Sequence, residues 1–332
     1  MSQGQENPVK GNHINVAPTI DCVFTWVNDQ QSGYLETLAA HSLRPVDRDP
    51  SRTRDNIETL RYSLRSIELF APWIRNIYLF TCRPQVPAWL NVSHPRLKLI
   101  HHDEVIPAQY LPTFNSLNII SFLHELPGLS DQFLYLEDDM VLLRKADLAD
   151  FQNEDGKLKL YEHHLRAPTW DDVVVTDNPK PWNMALAESN TQLDANFGKK
   201  SRQQICHMPK LINRAAWRLL TETFPESMEK TRTSKFRAEG NIALEYIYPH
   251  MLDGQGQAEL MDKETTHRLN GYVPLENFWP ITALRLMQTR QKNALWLTMN
   301  DNFGAKPSRI AENLTRKFLN EKLGQPSSFE RA

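Results

Sequence analysis

Three consecutive acids, Glu137, Asp138 and Asp139, interrupt the apolar run FLYLEDDMVLL at residues 133–143. Carboxylates at the end of a core strand suit a divalent cation, because Mg²⁺ or Mn²⁺ prefers hard oxygen ligands and takes one or two carboxylates together with substrate phosphates. A metal held there would neutralise a diphosphate; the other reading of the triplet is a solvated turn after a strand. A second such end, LWLTMNDNFG at 295–304, runs into Asn300-Asp301-Asn302. Taken alone it is more often a turn than a ligand set, but the two ends could converge on one ion.

His207, in QICHMPKLINR, could take the proton from an attacking hydroxyl. A lone histidine is more often a packing residue. The pairs His101-His102 and His163-His164 share that ambiguity, and no HxxxH or HExxH spacing supports zinc. The basic candidates are Arg54, Arg61 and Arg65 on a first helix, and Arg232, Lys235 and Arg237 in KTRTSKFRAEGN. Guanidinium forks suit phosphate oxygens; a solvated helix face is the alternative for each.

The elements that must position these residues read as strands alternating with helices. IDCVFTWV at 20–27 is a buried strand ending in Asn28-Asp29, and further strands are expected at 76–81, 97–101 and 132–136. A helix carries Ile57, Leu60, Leu64 and Ile67 on one face, with Asp55 or Asn56 as its cap and Pro72 closing it. A second helix is expected at 116–126, stopped by Pro127-Gly128. Beyond a loose polar segment at 152–200, helices are expected at 210–223 and 240–248, the latter ended by Pro249.

This pattern is α/β, with a mostly parallel central sheet flanked by helices and a more helical C-terminal part. Ligands of such sheets bind beyond the carboxyl ends of the strands. Those ends are Thr25-Trp26-Val27-Asn28, Thr81-Cys82-Arg83, His101-His102-Asp103 and Glu137-Asp138-Asp139.

A chain of 332 residues that is 40% hydrophobic can bury the core of one large or two modest domains. A formal charge of -2 gives no bulk reason to expect nucleic acid as a partner. Three cysteines without metal-type spacing argue against a disulfide framework and for a reducing cytosol. The polar first 18 residues lack the apolar core of a signal peptide. The expectation is a soluble, cytoplasmic protein that could still meet a membrane surface through a partner or a lipid-linked substrate.

Taken together, the motifs resemble the Stealth family, which includes bacterial capsular-polysaccharide phosphotransferases and the catalytic subunit of the animal N-acetylglucosamine-1-phosphotransferase. IDCVFTWVN is similar to its first block. RDNIETLRYSLRSIELFAPWIRNIYLFT, VPAWL, LPTFNS and LPGLSDQFLYLEDDM are similar to its second. CHMPKLINR through RTSKFRAEGNIALEY resembles the third, and LTMNDN with PSSFE the fourth.

The resemblance implies transfer of a sugar 1-phosphate from a nucleotide sugar, usually a UDP-hexose, to an acceptor hydroxyl on a polysaccharide or lipid-linked saccharide. Asp139, with Asp138 beside it, and Asp301 would hold Mg²⁺ or Mn²⁺ and the diphosphate. His207 would be the general base and Arg237 would hold phosphate oxygens. Asp21 and Thr25, Trp26, Val27 and Asn28 would border the nucleotide, with Arg54, Arg61, Arg65 and Asn115 assigned to the same donor site.

Residues 1–18 would be a disordered tail, 19–150 the nucleotide-sugar-binding half, and 151–332 an acceptor and catalytic half completing the same domain. Glu137 stands where the family usually has Asn, and Cys82-Arg83-Pro84 replaces an Asn-Gly turn, which puts donor preference in question. The lack of long insertions and of lumenal targeting favours the bacterial branch, with peripheral association to a capsule-assembly complex open. The rival readings are a metal-dependent glycosyltransferase releasing UDP and a non-catalytic carbohydrate-binding protein.

Overall fold

The structure, a computed structural model, describes residues 19–331, so the tail expected over 1–18 lies outside the described residues. The strands in chain order are β1 (Ile20–Trp26), β2 (Ile74–Thr81), β3 (Leu97–His101), β4 (Gln132–Glu137), β5 (Met140–Leu142) and β6 (Leu158–Leu160). They continue as β7 (Glu162–Arg166), β8 (Gln203–Ile205), β9 (Lys210–Asn213), β10 (Ala258–Leu260), β11 (Asn270–Leu275) and β12 (Trp296–Asp301). The helices are α1 (Tyr34–His41), α2 (Thr59–Phe70), α3 (Ser116–Ile120), α4 (Trp170–Val174), α5 (Pro181–Phe197) and α6 (Arg214–Thr223). After them come α7 (Pro225–Thr233), α8 (Leu244–Gly254), α9 (Lys263–Leu269), α10 (Trp279–Gln291) and α11 (Arg309–Leu323).

The central sheet has the order β3-β2-β1-β4-β9, parallel through its first four strands and closed by the antiparallel β9. Alternate residues of β1 serve opposite faces. Cys22, Phe24 and Trp26 join Leu60, Leu64 and Ile67 of α2 in one apolar layer. Val23 joins Tyr78, Phe80, Phe133 and Tyr135 in the layer on the other side. That is the period-two pattern of a strand covered on both faces, and it explains why these strands are apolar throughout.

A second sheet, β11-β12-β5, abuts the first. β4 ends at Glu137 and β5 begins at Met140, so Asp138 and Asp139 are the link by which the chain leaves one sheet and enters the other. The link is pinned from across: the Met299 amide donates to the Asp139 carbonyl at 3.0 Å, and β5 pairs antiparallel with β12. The triplet is therefore clamped between two sheets rather than left in a free turn.

Several expected boundaries move. α2 starts at Thr59, not at Ile57; Asp55 still accepts the Thr59 amide (3.1 Å), but Glu58 takes a left-handed conformation (φ 58°) that delays the first turn. The helix expected at 116–126 is one short helix followed by a separate 3₁₀ turn at Leu123–Glu125. Residues 210–213 are strand, because they complete the central sheet against β4. Asn213 then caps α6 by accepting the Ala216 amide at 2.9 Å, a contact worth about 1 kcal/mol.

α8 runs through Pro249 to Gly254. Proline's fixed φ suits a helix, but inside one it removes a hydrogen bond and its ring crowds the carbonyl four residues back, here that of Glu245. The polar segment at 152–200 contains α5, seventeen residues long with Pro181 in its first turn and Gly198 after its end, the asymmetry that marks helix termini.

Candidate active site

The carboxyl ends of β1, β2 and β4 open into a cleft of about 760 Å³. Thr25, Trp26, Val27, Cys82 and residues 137–139 line it from the sheet, and α8, β12, the loop before α2, the start of α5 and the segments around His207 and Arg237 are among the elements that wall it. The Trp26 indole donates to Asp55 (2.9 Å) and the Thr25 hydroxyl meets that of Tyr135 (3.0 Å), which ties the floor of the cleft to the strands.

At its centre His207 Nε2 lies 2.9 Å from Glu137 Oε1. Glu137, Asp139 and His207 each offer a ligand atom within 4.8 Å of the others, the one such group of three among the described residues. His207 reaches this position because its loop is anchored from β12, where the Thr298 hydroxyl donates to the His207 carbonyl at 2.6 Å.

The electrostatics follow from crowding. Burial alone would raise Glu137, but the charge and hydrogen bond of His207, with Lys210 beyond, hold its carboxyl well below the usual range. Burial likewise disfavours a charged His207, yet Glu137 and Asp139 outweigh it and push the imidazole up to about 9. Asp139 is raised to about 7 by burial, with Glu137 adding and His207 opposing. Asp138 is raised well above its ordinary value by burial and by Asp55, Asp139 and Glu137. Burial also raises Asp55, to about 6.

Such a density of carboxylates fits a cation. Asp139 Oδ1 is buried without any hydrogen-bond partner, as an oxygen awaiting a ligand bond would be. Two carboxylates match Mn²⁺ or Mg²⁺ with room for phosphate oxygens.

The residues singled out in the sequence divide. Thr25, Trp26, Val27, Arg54, Asp138, Asp139, His207, Arg237 and Asp301 all line the cleft. Asp301 does not join the three-donor group: Arg54 Nη1 grips its Oδ2 at 2.9 Å, the Phe303 amide takes its Oδ1 at 2.9 Å, and Arg54 also bonds the Gly304 carbonyl. Arg54 and Asp301 thus latch the loop before α2 onto β12. Asp138, next to Asp139, is likewise outside the group.

Five expected nucleotide residues lie away from the cleft. Asp21 begins β1, at the opposite end of the sheet, and is fully buried; Arg75 Nη2 (2.6 Å), the Asn76 amide (3.1 Å) and the Ser130 amide (2.9 Å) all donate to it. Asn28 forms the turn after β1, its amide and carbonyl both held by the buried side chain of Gln85. Arg61 and Arg65 converge on Glu330 at 2.6 and 2.7 Å. Asn115 is buried and donates to the carbonyls of Thr231 and Ser234 and to Asn241, joining α3 to the segment before α8. Each satisfies polar groups of the fold.

Around Arg237, expected from the sequence, the cleft gathers Arg52, Lys210 and Glu245, which were not. Arg237 donates to the Ser116 hydroxyl (2.6 Å) and lies over the Trp182 ring at 5.4 Å, without a carboxylate partner among the described residues. Burial and the nearby charge of Arg52 both disfavour its charged state. Arg52 lines the same cleft and is also without a carboxylate partner among the described residues. Two unneutralised guanidiniums in one cleft make a seat for phosphate. On the other flank Lys210 pairs with Glu245 at 3.0 Å, and burial and Glu137 raise that carboxyl. Arg52 stands two residues before Arg54, and Glu245 within the IALEY stretch, but nothing in either pattern separates a cleft residue from a surface one.

Two family models match the chain: Stealth protein conserved region 2 over residues 52–160 and conserved region 3 over residues 206–252. An exopolysaccharide phosphotransferase of Streptomyces coelicolor is 32% identical over 320 residues, 94% of this chain and 51% of that protein. A capsular polysaccharide phosphotransferase of Neisseria meningitidis serogroup A is 27% identical over 318 residues, 94% of this chain and 57% of that one. The chain spans about half the length of the curated relatives it matches. Among solved structures, the galactosyltransferase LgtC with donor and acceptor sugar analogs superposes with a TM-score of 0.41 at 14% identity, over 93% of this chain and 98% of that one.

Proposed function

The chain belongs to the Stealth protein family, and on that premise we propose that it is a phosphotransferase moving a sugar 1-phosphate from a nucleotide sugar, a UDP-hexose or UDP-N-acetylhexosamine, to a saccharide hydroxyl. The acceptor is a growing capsule or cell-surface polysaccharide, or a lipid-linked saccharide. The observation that carries this reading is the pairing, in one cleft, of a three-donor cation group with two arginines that have no carboxylate of their own. That arrangement answers the charge of a diphosphate from two sides.

Glu137 and Asp139 would hold Mg²⁺ or Mn²⁺, and His207, beside them, is kept for the proton. The ion, when bound, neutralises charge that builds on the diphosphate oxygens. Arg52 and Arg237 grip the non-bridging phosphate oxygens. With a cation on Glu137 and Asp139, the carboxylates that otherwise hold the imidazole at about 9 are offset and His207 is neutral. Its proton sits on Nε2 facing Glu137, and its Nδ1, free of any hydrogen-bond partner among the described residues, takes the acceptor hydroxyl's proton. Glu137 orients the ring and stabilises the imidazolium that forms, the role a carboxylate plays beside a catalytic histidine. The acceptor oxygen bonds to the phosphorus that bears the sugar, the bond from that phosphorus to the nucleoside monophosphate breaks, and UMP leaves.

The released nucleotide tests this. Incubation with a panel of UDP-sugars, Mn²⁺ and an oligosaccharide acceptor should liberate UMP and form a phosphodiester. Release of UDP would replace the proposal with glycosyl transfer at the anomeric carbon. Donor binding without turnover of any sugar would make the protein a binding module.

A further inference from the structure

α10 is covered on one side only. Thr282, Leu286 and Thr289 face the protein interior. Its outer side carries Ile281, Leu284 and Met287 at a spacing of three, and Phe278 and Trp279 stand at its start. Phe278 is 68% exposed and the other four between 41% and 48%, so this is a continuous apolar stripe rather than scattered surface hydrophobes.

The charge around the stripe has one sign. Residues 277–320, which run from the start of α10 through β12 into α11, hold seven lysines and arginines against two acids. Both acids are spent inside the fold: Asp301 on Arg54, and Glu312, buried, on the Asn56 amide group. Of the cations, Arg285, Lys306, Arg309 and Lys317 are exposed and have no carboxylate partner among the described residues. Of the nearest flanking acids, Glu321 is paired with Arg290, and Glu276, which accepts from the Asn302 amide group, keeps its charge. No helix among the described residues is long and apolar enough to cross a membrane. Exposed aromatic and aliphatic side chains can enter a lipid interface, and the cations on α10 and on the neighbouring start of α11 would meet anionic headgroups.

We propose that the outer face of α10, with the cationic start of α11 beside it, docks on an anionic lipid surface. The orientation this imposes is functional. The Asn277 side chain just before α10 donates to the Phe303 carbonyl (2.8 Å), and Leu275 and Phe303 line the cleft. Docking therefore brings the rim of the cleft to the lipid headgroups, where a saccharide carried on a lipid presents its hydroxyls. The docking itself does not depend on the reaction proposed for the cleft.

Flotation of the full chain with vesicles tests it. The protein should float with phosphatidylcholine vesicles that contain phosphatidylglycerol, and not with phosphatidylcholine alone, and salt should release it. Replacing Ile281, Leu284 and Met287 together by Ser should lower partitioning at least about tenfold. An independent set, Arg285→Glu with Arg309→Glu, should do the same while keeping the apolar stripe. Circular dichroism should stay unchanged in both, since none of these side chains is part of the core. A folded chain that binds neither vesicle overturns the proposal. So does a dimer, seen by light scattering, that the triple substitution dissolves while vesicle binding is absent, because the occupant of the face is then a second copy.

Discussion

Asp139→Asn separates a cation site from a structural acid cluster. Without a cation, the Asp139 carboxyl stands at about 7 against an ordinary 3.8. A shift of about three units corresponds to at most about 4 kcal/mol. The sign is that of an acid whose folded value is raised: the native state holds the proton more tightly than the unfolded chain. Stability is therefore lost as pH rises from about 4 through about 7, and the whole penalty is present above that. The shift already includes the attraction to His207, so asparagine, neutral at every pH, removes a net penalty of at most about 4 kcal/mol.

In EDTA at about pH 8 the variant should thus be more stable than the parent, and the difference should vanish towards about pH 4. Added Mn²⁺ works in the opposite direction. At about a hundred times its dissociation constant a ligand stabilises by about 2.7 kcal/mol, or about 5 °C of melting temperature for a chain of this size. The parent should gain this and the variant should not. Thermal unfolding in EDTA and in Mn²⁺ is the assay. A variant that keeps the full Mn²⁺ shift, or that is destabilised in EDTA at the higher pH, would refute the reasoning: the first would move the ion elsewhere, and the second would make Asp139 structural.

Three further outcomes are expected. His207→Ala should lower turnover by about 10² to 10⁴-fold with donor affinity nearly unchanged in calorimetric titration; a chain that fails to fold would instead assign His207 to packing. Arg52→Ala should weaken nucleotide-sugar binding by about tenfold or more at an unchanged melting temperature, whereas Arg54→Ala, which frees Asp301, should lower the melting temperature. Asp21→Asn should cost about 3 kcal/mol in urea unfolding at neutral pH. Despite burial, Arg75 and the amides of Ser130 and Asn76 hold Asp21 below its ordinary value, so its contribution is complete above about pH 4 and fades as pH falls through the folded value.

What could be read from the sequence was whatever local pattern decides. Apolar runs covered on both faces located β1 to β4, and the rule that ligands gather at carboxyl ends of parallel strands brought Thr25, Trp26, Val27 and Asp139 to one edge before any contact was known. β9 was missed because its four residues read equally well as the first turn of the helix that follows; only its pairing with β4 makes it a strand. α5 was legible, with Pro181 and Gly198 at its ends, but its polar composition hid a face that packs Ala185, Leu186 and Leu193 into the core.

The arginines mark where local pattern stops being informative. Arg54, Arg61 and Arg65 share a residue type and a stretch of chain, yet their partners lie 247, 269 and 265 positions away, on Asp301 and Glu330. A guanidinium is a phosphate ligand only if the fold leaves it without a carboxylate, and that is decided by tertiary pairing. Arg52 and Arg237 meet the condition because none of the acids near them, Asp47 and Asp49 for the first and Glu137 and Glu245 for the second, closes an ion pair with them among the described residues.

Asp21 is different, because the same strand-direction rule that favours Asp139 excludes it. It opens β1 while Thr25, Trp26 and Val27 close it, and in a parallel sheet those two ends face opposite sides of the molecule. Its place in the IDCVFTWVN block reflects the fold's need for a buried acceptor at the sheet's far edge, where one carboxylate collects Arg75 and two backbone amides that would otherwise go unpaired. A strand motif that recurs as a unit can therefore carry two unrelated constraints, one at each end, and the direction of the strand tells which end serves the chemistry.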